Sequence, residues 1–160
     1  MKADILVGIG ASAGGLEALQ ALLSNLQAEV SDMALVIAQH VSPTYKSQLV
    51  ELLARQTTLP VREAVDGDEP EGGVVYITPP DRDIAFSAGV FQLTKPSSTH
   101  GPRPSIDHFF SSSAKAFGDR MVGVILSGTG SDGSQGVRAV QAAGGLVIVQ
   151  DPETAKYNGM

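Results

Sequence analysis

The sequence predicts an α/β fold: a doubly wound, mostly parallel sheet with helices on both faces, in the three-layer arrangement of Rossmann-like proteins, with a small antiparallel hairpin at one edge. Two observations predict it. Short, continuous apolar runs rich in valine and isoleucine are typical of strands buried on both faces. Segments with apolar residues at helical spacing separate several of these runs. Together they indicate parallel strands joined by right-handed helical crossovers.

The first unit is a strand, a glycine turn and a helix. An apolar run opens at Ile5 and gives way to small residues around Ser12. From Leu16 the apolar residues recur at helical spacing as far as Gln27. The next apolar run, residues 33–38, predicts a second strand that ends just before Gln39-His40. One helix connects the two strands, so we expect them to be parallel.

The middle of the chain departs from this alternation. Residues 84–87 and 90–94 alternate between apolar and polar on either side of Ala88-Gly89, which predicts the hairpin. Residues 95–104 are rich in proline and serine and predict a loop. The other elements predicted here are a helix over residues 45–56 and strands over residues 61–64 and 74–78.

The alternation returns in the last third. Ser105 is a candidate N-cap for a helix that runs to Phe117. The buried strand over residues 121–126 leads into a second turn of small residues, and a further helix and a strand over residues 146–149 follow. We expect residues 1–160 to form a single domain, truncated at its C-terminus because nothing like a turn or cap closes the chain.

The composition narrows the class of protein. The chain has 160 residues, of which 42% are hydrophobic and 18% charged, as in ordinary globular domains. A net charge of −6 argues against a nucleic-acid-binding surface. The absence of cysteine excludes disulfides and thiolate metal sites and is typical of a reducing compartment. The N-terminal apolar run is too short for a signal peptide or a membrane span, so we expect a cytoplasmic protein that does not insert into membranes.

Three polar residues follow three of the predicted buried strands. Ser12, His40 and Asp132 each lie just beyond a strand's C-terminal end, and the C-terminal ends of parallel strands lie along one edge of a sheet. A hydroxyl, an imidazole and a carboxylate can act as nucleophile, base and orienting group in acyl transfer. The backbone N–H groups of Ala13 and Thr129 are candidates for an oxyanion hole.

Each of these residues also has a structural interpretation. Ser12 and Asp132 can cap the helices that follow them, and His40 can be an ordinary histidine at a strand end. Of the other polar residues, Asp107 at its helix start is expected to act on the helix dipole, with a position facing the cleft as the alternative. The remaining expectations are that His100 lies in a solvated loop, that His108 lies on a helix surface, and that Asp81-Arg82-Asp83 forms a solvated turn.

Two other functions compete with catalysis. Gly8-Ile9-Gly10 is similar to the start of a dinucleotide-binding fingerprint, but the third glycine falls at Gly14, and the acidic residue expected after the second strand is replaced by Gln39-His40. A noncatalytic signalling module is the other alternative, although no motif favours it. Metal binding by His40 and Asp132 would need a third ligand that the sequence does not identify.

Several motifs, in order and over nearly the whole chain, resemble the catalytic domain of the chemotaxis-type protein-glutamate methylesterases, the CheB family. The segments that carry the resemblance are residues 10–15 (GASAGG), Gln39-His40, residues 76–80 (YITPP), Ser105-Ile106-Asp107 and residues 126–133 (LSGTGSDG).

The resemblance implies hydrolysis of γ-glutamyl methyl esters on chemoreceptor-type proteins in signal transduction, with glutamine deamidation by some members. It implies a serine hydrolase with Ser12, His40 and Asp132 as its triad and with no cofactor or metal. The sequence lacks the receiver domain of the single-purpose chemotaxis enzymes, and Ala13 and Thr129 replace their common threonine and methionine. It therefore looks like the module of a methylesterase/methyltransferase fusion that also carries sensor domains.

Overall fold

A computed structural model of the chain describes residues 1–26, 29–40, 48–96, 104–128 and 130–159. Six parallel strands form one sheet in the order β3-β4-β2-β1-β7-β8, and two antiparallel strands, β5 and β6, form a second. This confirms the predicted α/β fold. The strands are β1 Ile5–Ala11, β2 Met33–Gln39, β3 Val61–Glu63, β4 Val74–Ile77, β5 Asp83–Ser87, β6 Val90–Thr94, β7 Met121–Ile125 and β8 Leu146–Val149, and the helices are α1 Gly15–Asn25, α2 Leu49–Ala54, α3 Ile106–Phe117 and α4 Ser134–Ala142.

The main sheet separates two hydrophobic layers. Alternate side chains of one strand point to opposite faces, so Ile9 of β1 packs with α1 and α2, whereas Leu6 of the same strand packs with α3 and α4. Both side chains are fully buried. Burial on both faces explains why the central strands are continuous apolar runs.

The hairpin forms a sheet of its own instead of extending the main sheet by hydrogen bonds. Its rings Phe86 and Phe91 pack against Tyr76 of β4 and Phe117 of α3, with ring centroids about 5 Å apart. The alternating pattern correctly predicted the pairing, which runs from Asp83 opposite Thr94 to Ser87 opposite Val90. The aromatic contacts decide where the hairpin lies.

Close packing of α3 against β1 depends on two glycines of β1. A Cβ atom on Gly8 would lie 3.1 Å from the Phe109 ring, and one on Gly10 would lie 2.7 Å from Cγ2 of Ile106. These glycines, which suggested a dinucleotide fingerprint, lie inside the strand and not in the turn after it. They bring the first turn of α3 close to the end of β1, where the candidate site lies.

Candidate active site

The C-terminal ends of β1, β2 and β7 lie side by side where the connections change direction across the sheet. Strand β1 pairs with β2 on one side and with β7 on the other. Ser12 follows β1, His40 follows β2, and Asp132 lies in the segment between β7 and α4. In open α/β sheets, ligands bind at such a switch point.

Ser12 is held in place by its main chain. Its N–H donates to the carbonyl oxygen of Ser127 at 3.0 Å, and its carbonyl oxygen accepts from Gly15 N and from Gln39 Nε2, both at 2.9 Å. Helix α1 begins after Gly14, whose φ of +75° favours glycine, and no side chain caps this helix. Ser12 therefore does not act as the helix cap that one interpretation of the sequence assigned to it.

The Ser12 hydroxyl does not help to hold the described part of the fold together. Within the described ranges, no hydrogen bond joins Ser12 Oγ to the His40 ring or to any other group. A serine–histidine hydrogen bond is therefore absent among the described residues; catalytic contacts of this kind are often long before substrate binds. The adjacent Ala13 N–H likewise donates no hydrogen bond within the described residues.

Ser127 fixes the peptide that follows Ser12. This buried serine donates from Oγ to the Ala13 carbonyl oxygen at 2.8 Å and accepts from Tyr157 N at 3.0 Å. Holding the Ala13 carbonyl also fixes the orientation of the backbone around the Ala13 N–H. Ser127 was not singled out from the sequence, since a serine in a glycine-rich turn is usually exposed.

His40 and Asp132 form a direct hydrogen bond. Asp132 Oδ2 lies 2.8 Å from His40 Nε2. The side chain of His40 is 11% exposed and that of Asp132 is 12% exposed. The His40 main chain is anchored next to Ser12, because its N–H donates to the Ala11 carbonyl oxygen at 2.9 Å. With Nε2 occupied by Asp132, Nδ1 is the ring nitrogen left for another partner.

The Asp132 carboxylate also lies at the N-terminus of α3. Oδ2 accepts from Ile106 N at 2.8 Å and Oδ1 from Asp107 N at 2.9 Å. Burial alone would raise the pKa of Asp132, but hydrogen bonds from His40, Asp107 N and Ile106 N outweigh it and hold the pKa below its usual value. Asp132 does not cap the following helix, the structural interpretation that the sequence offered, because the N-cap of α4 is Gly133 and no side-chain hydrogen bond caps it.

Two further residues, Gln39 and Asp107, support this arrangement, and the sequence alone did not predict these contacts. Gln39 donates from Nε2 to the carbonyl oxygens of Ser12 and His40, at 2.9 and 3.1 Å, and so bridges the two residues. Its Oε1 is buried without a hydrogen-bond partner among the described residues. Asp107 lies in the first turn of α3, where its charge complements the helix dipole as expected. Its Oδ1 also accepts from Gly133 N and Gly136 N at the start of α4.

The other sequence-based expectations have mixed outcomes. His108 is exposed on α3, and Ser105 caps that helix by accepting from His108 N at 3.2 Å, as predicted. Asp83 is not only a solvated turn residue, because its carboxylate accepts from Ser105 N at 2.8 Å. Thr129 and His100 lie outside the described residues. Within the described ranges, no three potential ligands are grouped to hold a metal ion, and no helix is long and apolar enough to span a membrane.

Comparison with known proteins shows the family to which this chain belongs. Residues 7–160 match the family model for CheB methylesterase. The chain belongs to the CheB methylesterase family. The solved structure of the CheB methylesterase catalytic domain from Thermotoga maritima superposes with a TM-score of 0.90 at 34% identity, over 98% of this chain and 84% of that one.

Curated relatives in the CheB family are longer than this chain. A protein-glutamate methylesterase/protein-glutamine glutaminase of Burkholderia orbicola is 38% identical over 156 residues, which are 97% of this chain and 46% of the relative. One from Geobacter sulfurreducens is 38% identical over 159 residues, 97% of this chain and 43% of the relative. The chain thus spans just under half the length of these relatives.

Proposed function

We propose that this chain is a serine hydrolase that removes methyl groups from glutamate methyl esters on receptor proteins. The observation that carries the proposal is the hydrogen bond of 2.8 Å between His40 and Asp132. It lies beside the turn that presents Ser12, whose hydroxyl makes no hydrogen bond to the described residues. Nucleophile, base and orienting carboxylate come from three neighbouring strand ends, and this is the constellation that acyl transfer requires.

In the proposed first step, Ser12 Oγ attacks the ester carbonyl carbon while its proton passes to Nδ1 of His40. The Asp132 carboxylate accepts a hydrogen bond from Nε2–H, which selects the tautomer with a free Nδ1 and stabilises the imidazolium that forms. The low pKa of Asp132 supports this role, because a carboxylate that stays ionised keeps its negative charge beside the cation.

Collapse of the tetrahedral intermediate breaks the bond between the acyl carbon and the methoxy oxygen. His40 returns its proton to that oxygen, and methanol leaves. Water then attacks the acyl-serine while His40 takes its proton and returns it to Ser12 Oγ. This releases the receptor with a free glutamate side chain and restores Ser12. We assign the Ala13 N–H to the oxyanion, since it has no acceptor among the residues that the structure describes; Thr129 remains a second candidate from the sequence.

A second activity, deamidation of glutamine, uses the same groups. The names of the Burkholderia and Geobacter relatives include protein-glutamine glutaminase. Attack of Ser12 on a side-chain amide gives the same acyl-serine and releases ammonia in place of methanol. The two activities are therefore distinguished by their leaving groups.

The partners of the reaction are part of the proposal. The substrate is a methylated receptor protein, and in a longer protein this chain would be joined to methyltransferase and sensor domains. Neither a nucleic acid nor a bound cofactor takes part in the proposed steps. The composition continues to predict a cytoplasmic protein.

The proposal is tested by incubating the full chain with methylated receptor fragments and measuring methanol. We expect release by the unaltered chain and a loss of about 10⁶-fold in Ser12→Ala, as in a serine protease that loses its nucleophile. Ser24→Ala is the matched control, because Ser24 is exposed on α1 and bonds only within the helix and to Asn25. Equal release by Ser12→Ala and Ser24→Ala would refute the proposal.

A further inference from the structure

We propose that Asp107 is a positioning residue for the His40–Asp132 pair, as one half of a crossed pair of carboxylates. Each carboxylate of this pair binds the N-terminus of the helix that belongs to the other: Asp132 precedes α4 and accepts from α3, and Asp107 belongs to α3 and accepts from α4. The consequence for catalysis rests on the proposed function, but the structural part of the inference does not.

The contacts of Asp107 are as short as those of Asp132. Asp107 Oδ1 lies 2.9 Å from Gly133 N and 2.7 Å from Gly136 N. These N–H groups belong to the first turn of α4, where no carbonyl oxygen of the helix is available to them. A carboxylate placed at a helix N-terminus is favoured by the hydrogen bonds and by the helix dipole.

The backbone on either side of Asp132 makes such a restraint necessary. Gly130 and Gly133 both have positive φ, +92° and +109°. Glycine has more conformational freedom than other residues and loses more of it on ordering, so a segment between two glycines needs contacts to hold one conformation. Asp107 supplies one of them by fixing Gly133 N, the atom next to Asp132 in the chain.

The N-terminus of α3 is itself well placed to transmit this restraint. Ile106 is fully buried and packs against Gly10 of β1, near the strand end that leads to Ser12. Because the Ile106 N–H binds Asp132 and the Asp107 carboxylate binds Gly133, α3 holds the segment 132–133 at two points relative to β1. Without Asp107, α3 would hold this segment through the contacts of Asp132 alone. The backbone bonds from Ser134 N to Ser131 O and from Val137 N to Gly133 O would remain, but they do not join the segment to α3.

The first test is nuclear magnetic resonance of the full chain with ¹⁵N-labelled histidine. The hydrogen bond from His40 Nε2 to Asp132 should give a proton signal at low field that disappears in His40→Gln. We expect Asp107→Ala to broaden or shift this signal and Asp107→Asn, which keeps an acceptor oxygen, to retain it. The matched control is Asp66→Ala, which removes another carboxylate that accepts a backbone N–H, that of Leu93 at 2.8 Å, on the hairpin side of the chain.

The second test is a double-mutant cycle on methanol release. We expect Asp107→Ala to lower kcat about 10²-fold, the order expected for a small misplacement of a catalytic group, with KM little changed. In an Asp132→Ala background the same substitution should cost much less, because a residue that acts through Asp132 has nothing left to position. A purely structural effect would instead lower activity by the same factor in both backgrounds.

The outcomes separate the two proposals. An unchanged low-field signal in folded Asp107→Ala, or its complete loss in Asp107→Asn, would overturn the role of Asp107, whether or not the chain releases methanol. A chain without methanol release but with the expected signals would refute only the proposed function. If Asp107→Ala does not fold, Asp107→Ser replaces it: serine is favoured at helix starts but its oxygen falls short, so a folded serine variant with the unaltered signal would also overturn the inference.

Discussion

The turn that carries Ser12 and the segment that carries Asp132 are held in opposite ways. Ser12 is located by its main chain, through hydrogen bonds to Ser127, Gly15 and Gln39, and its hydroxyl forms none with the part of the chain that the structure describes. Asp132 is located by its side chain, whose carboxylate accepts from His40, Ile106 N and Asp107 N. The hydroxyl that we propose as nucleophile is therefore not held by the described residues, whereas the carboxylate that we propose as orienting group is part of the fold.

The difference follows from the chemistry of the two groups. A nucleophile must be free to leave its resting position and bond to substrate, so a structural hydrogen bond to its oxygen would compete with the reaction. An orienting carboxylate must not move, and a buried carboxylate also needs donors to offset its desolvation. Substitution at the two positions should therefore separate activity from stability in different ways.

Among the variants expected to lose both activity and stability, the largest effect is expected for Asp132→Asn. The amide keeps one oxygen, but its NH₂ group must take the place either of Oδ2, which faces His40 Nε2 and Ile106 N, or of Oδ1, which faces Asp107 N. In both positions it meets a donor. We expect turnover to fall about 10⁴-fold, as for an orienting carboxylate in a serine protease. We also expect a loss of about 1–3 kcal/mol in the free energy of unfolding from the unsatisfied groups.

Methanol release and chemical denaturation of the same preparation measure both effects. Ser12→Ala is the contrasting variant, with its activity lost but its free energy of unfolding within about 0.5 kcal/mol of the unaltered chain. A fully stable Asp132→Asn, or a strongly destabilised Ser12→Ala, would contradict the comparison.

A second prediction concerns Gln39, which joins the two turns. Gln39→Leu has a similar volume but removes both donors, so the carbonyl oxygens of Ser12 and His40 lose a partner. We expect a loss of about 1–3 kcal/mol in stability and of about tenfold in kcat, since the Ser12 turn keeps its other backbone bonds. The control is Gln56→Leu, which changes a half-buried glutamine on the turn after α2, away from the site. Equal losses in both variants would show that Gln39 has no particular role in joining the two turns.

The third prediction tests the approach of α3 to β1. A Cβ at position 10 meets Ile106, whose N–H binds Asp132, whereas a Cβ at position 8 meets Phe109 and the flexible end of Met121. Both Gly10→Ala and Gly8→Ala should destabilise the chain by about 1–3 kcal/mol. Only Gly10→Ala should also lower turnover at a temperature where both variants are folded, and similar turnover in the two would contradict the account.

The smallest effect is the pH dependence of stability. The pKa of Asp132 is lowered in the folded chain, so its ionised form stabilises the fold at pH values above the ordinary aspartate pKa of about 3.9. That contribution is lost as the pH falls through the lowered pKa. The difference in unfolding free energy between the unaltered chain and Asp132→Asn should therefore be constant near neutrality and shrink in acid; a difference that grows in acid would reverse the sign of the account.

The sequence predicts features that depend on neighbouring residues better than features that depend on contacts between residues far apart in the chain. The strands that carry Ser12 and His40 are continuous apolar runs, and their parallel pairing follows from a single helical crossover, so the sequence placed both residues at one edge. The hairpin was predicted from its local alternation, but its place over α3 and β4 depends on aromatic contacts between residues far apart in the chain.

The contacts of Asp132 and Asp107 are a clearer example of what the sequence does not predict. The sequence marks Asp132 and Asp107 as acidic residues near helix starts, and the usual interpretation of such a residue is that it acts on its own helix. In the structure each acts on the other's helix, which depends on how α3 and α4 approach one another. Even the resemblance to the CheB family, which included Ser105-Ile106-Asp107, did not indicate this exchange.

The central claim is that Ser12 is a nucleophile activated by His40, and covalent trapping tests it most directly. The full chain is treated with a fluorophosphonate, which reacts with activated serines, and the product is analysed by intact-mass and peptide mass spectrometry. The account predicts one adduct per chain, located on Ser12, that forms much more slowly in His40→Gln. An adduct on another serine, or equally fast labelling of Ser12 in His40→Gln, would contradict it.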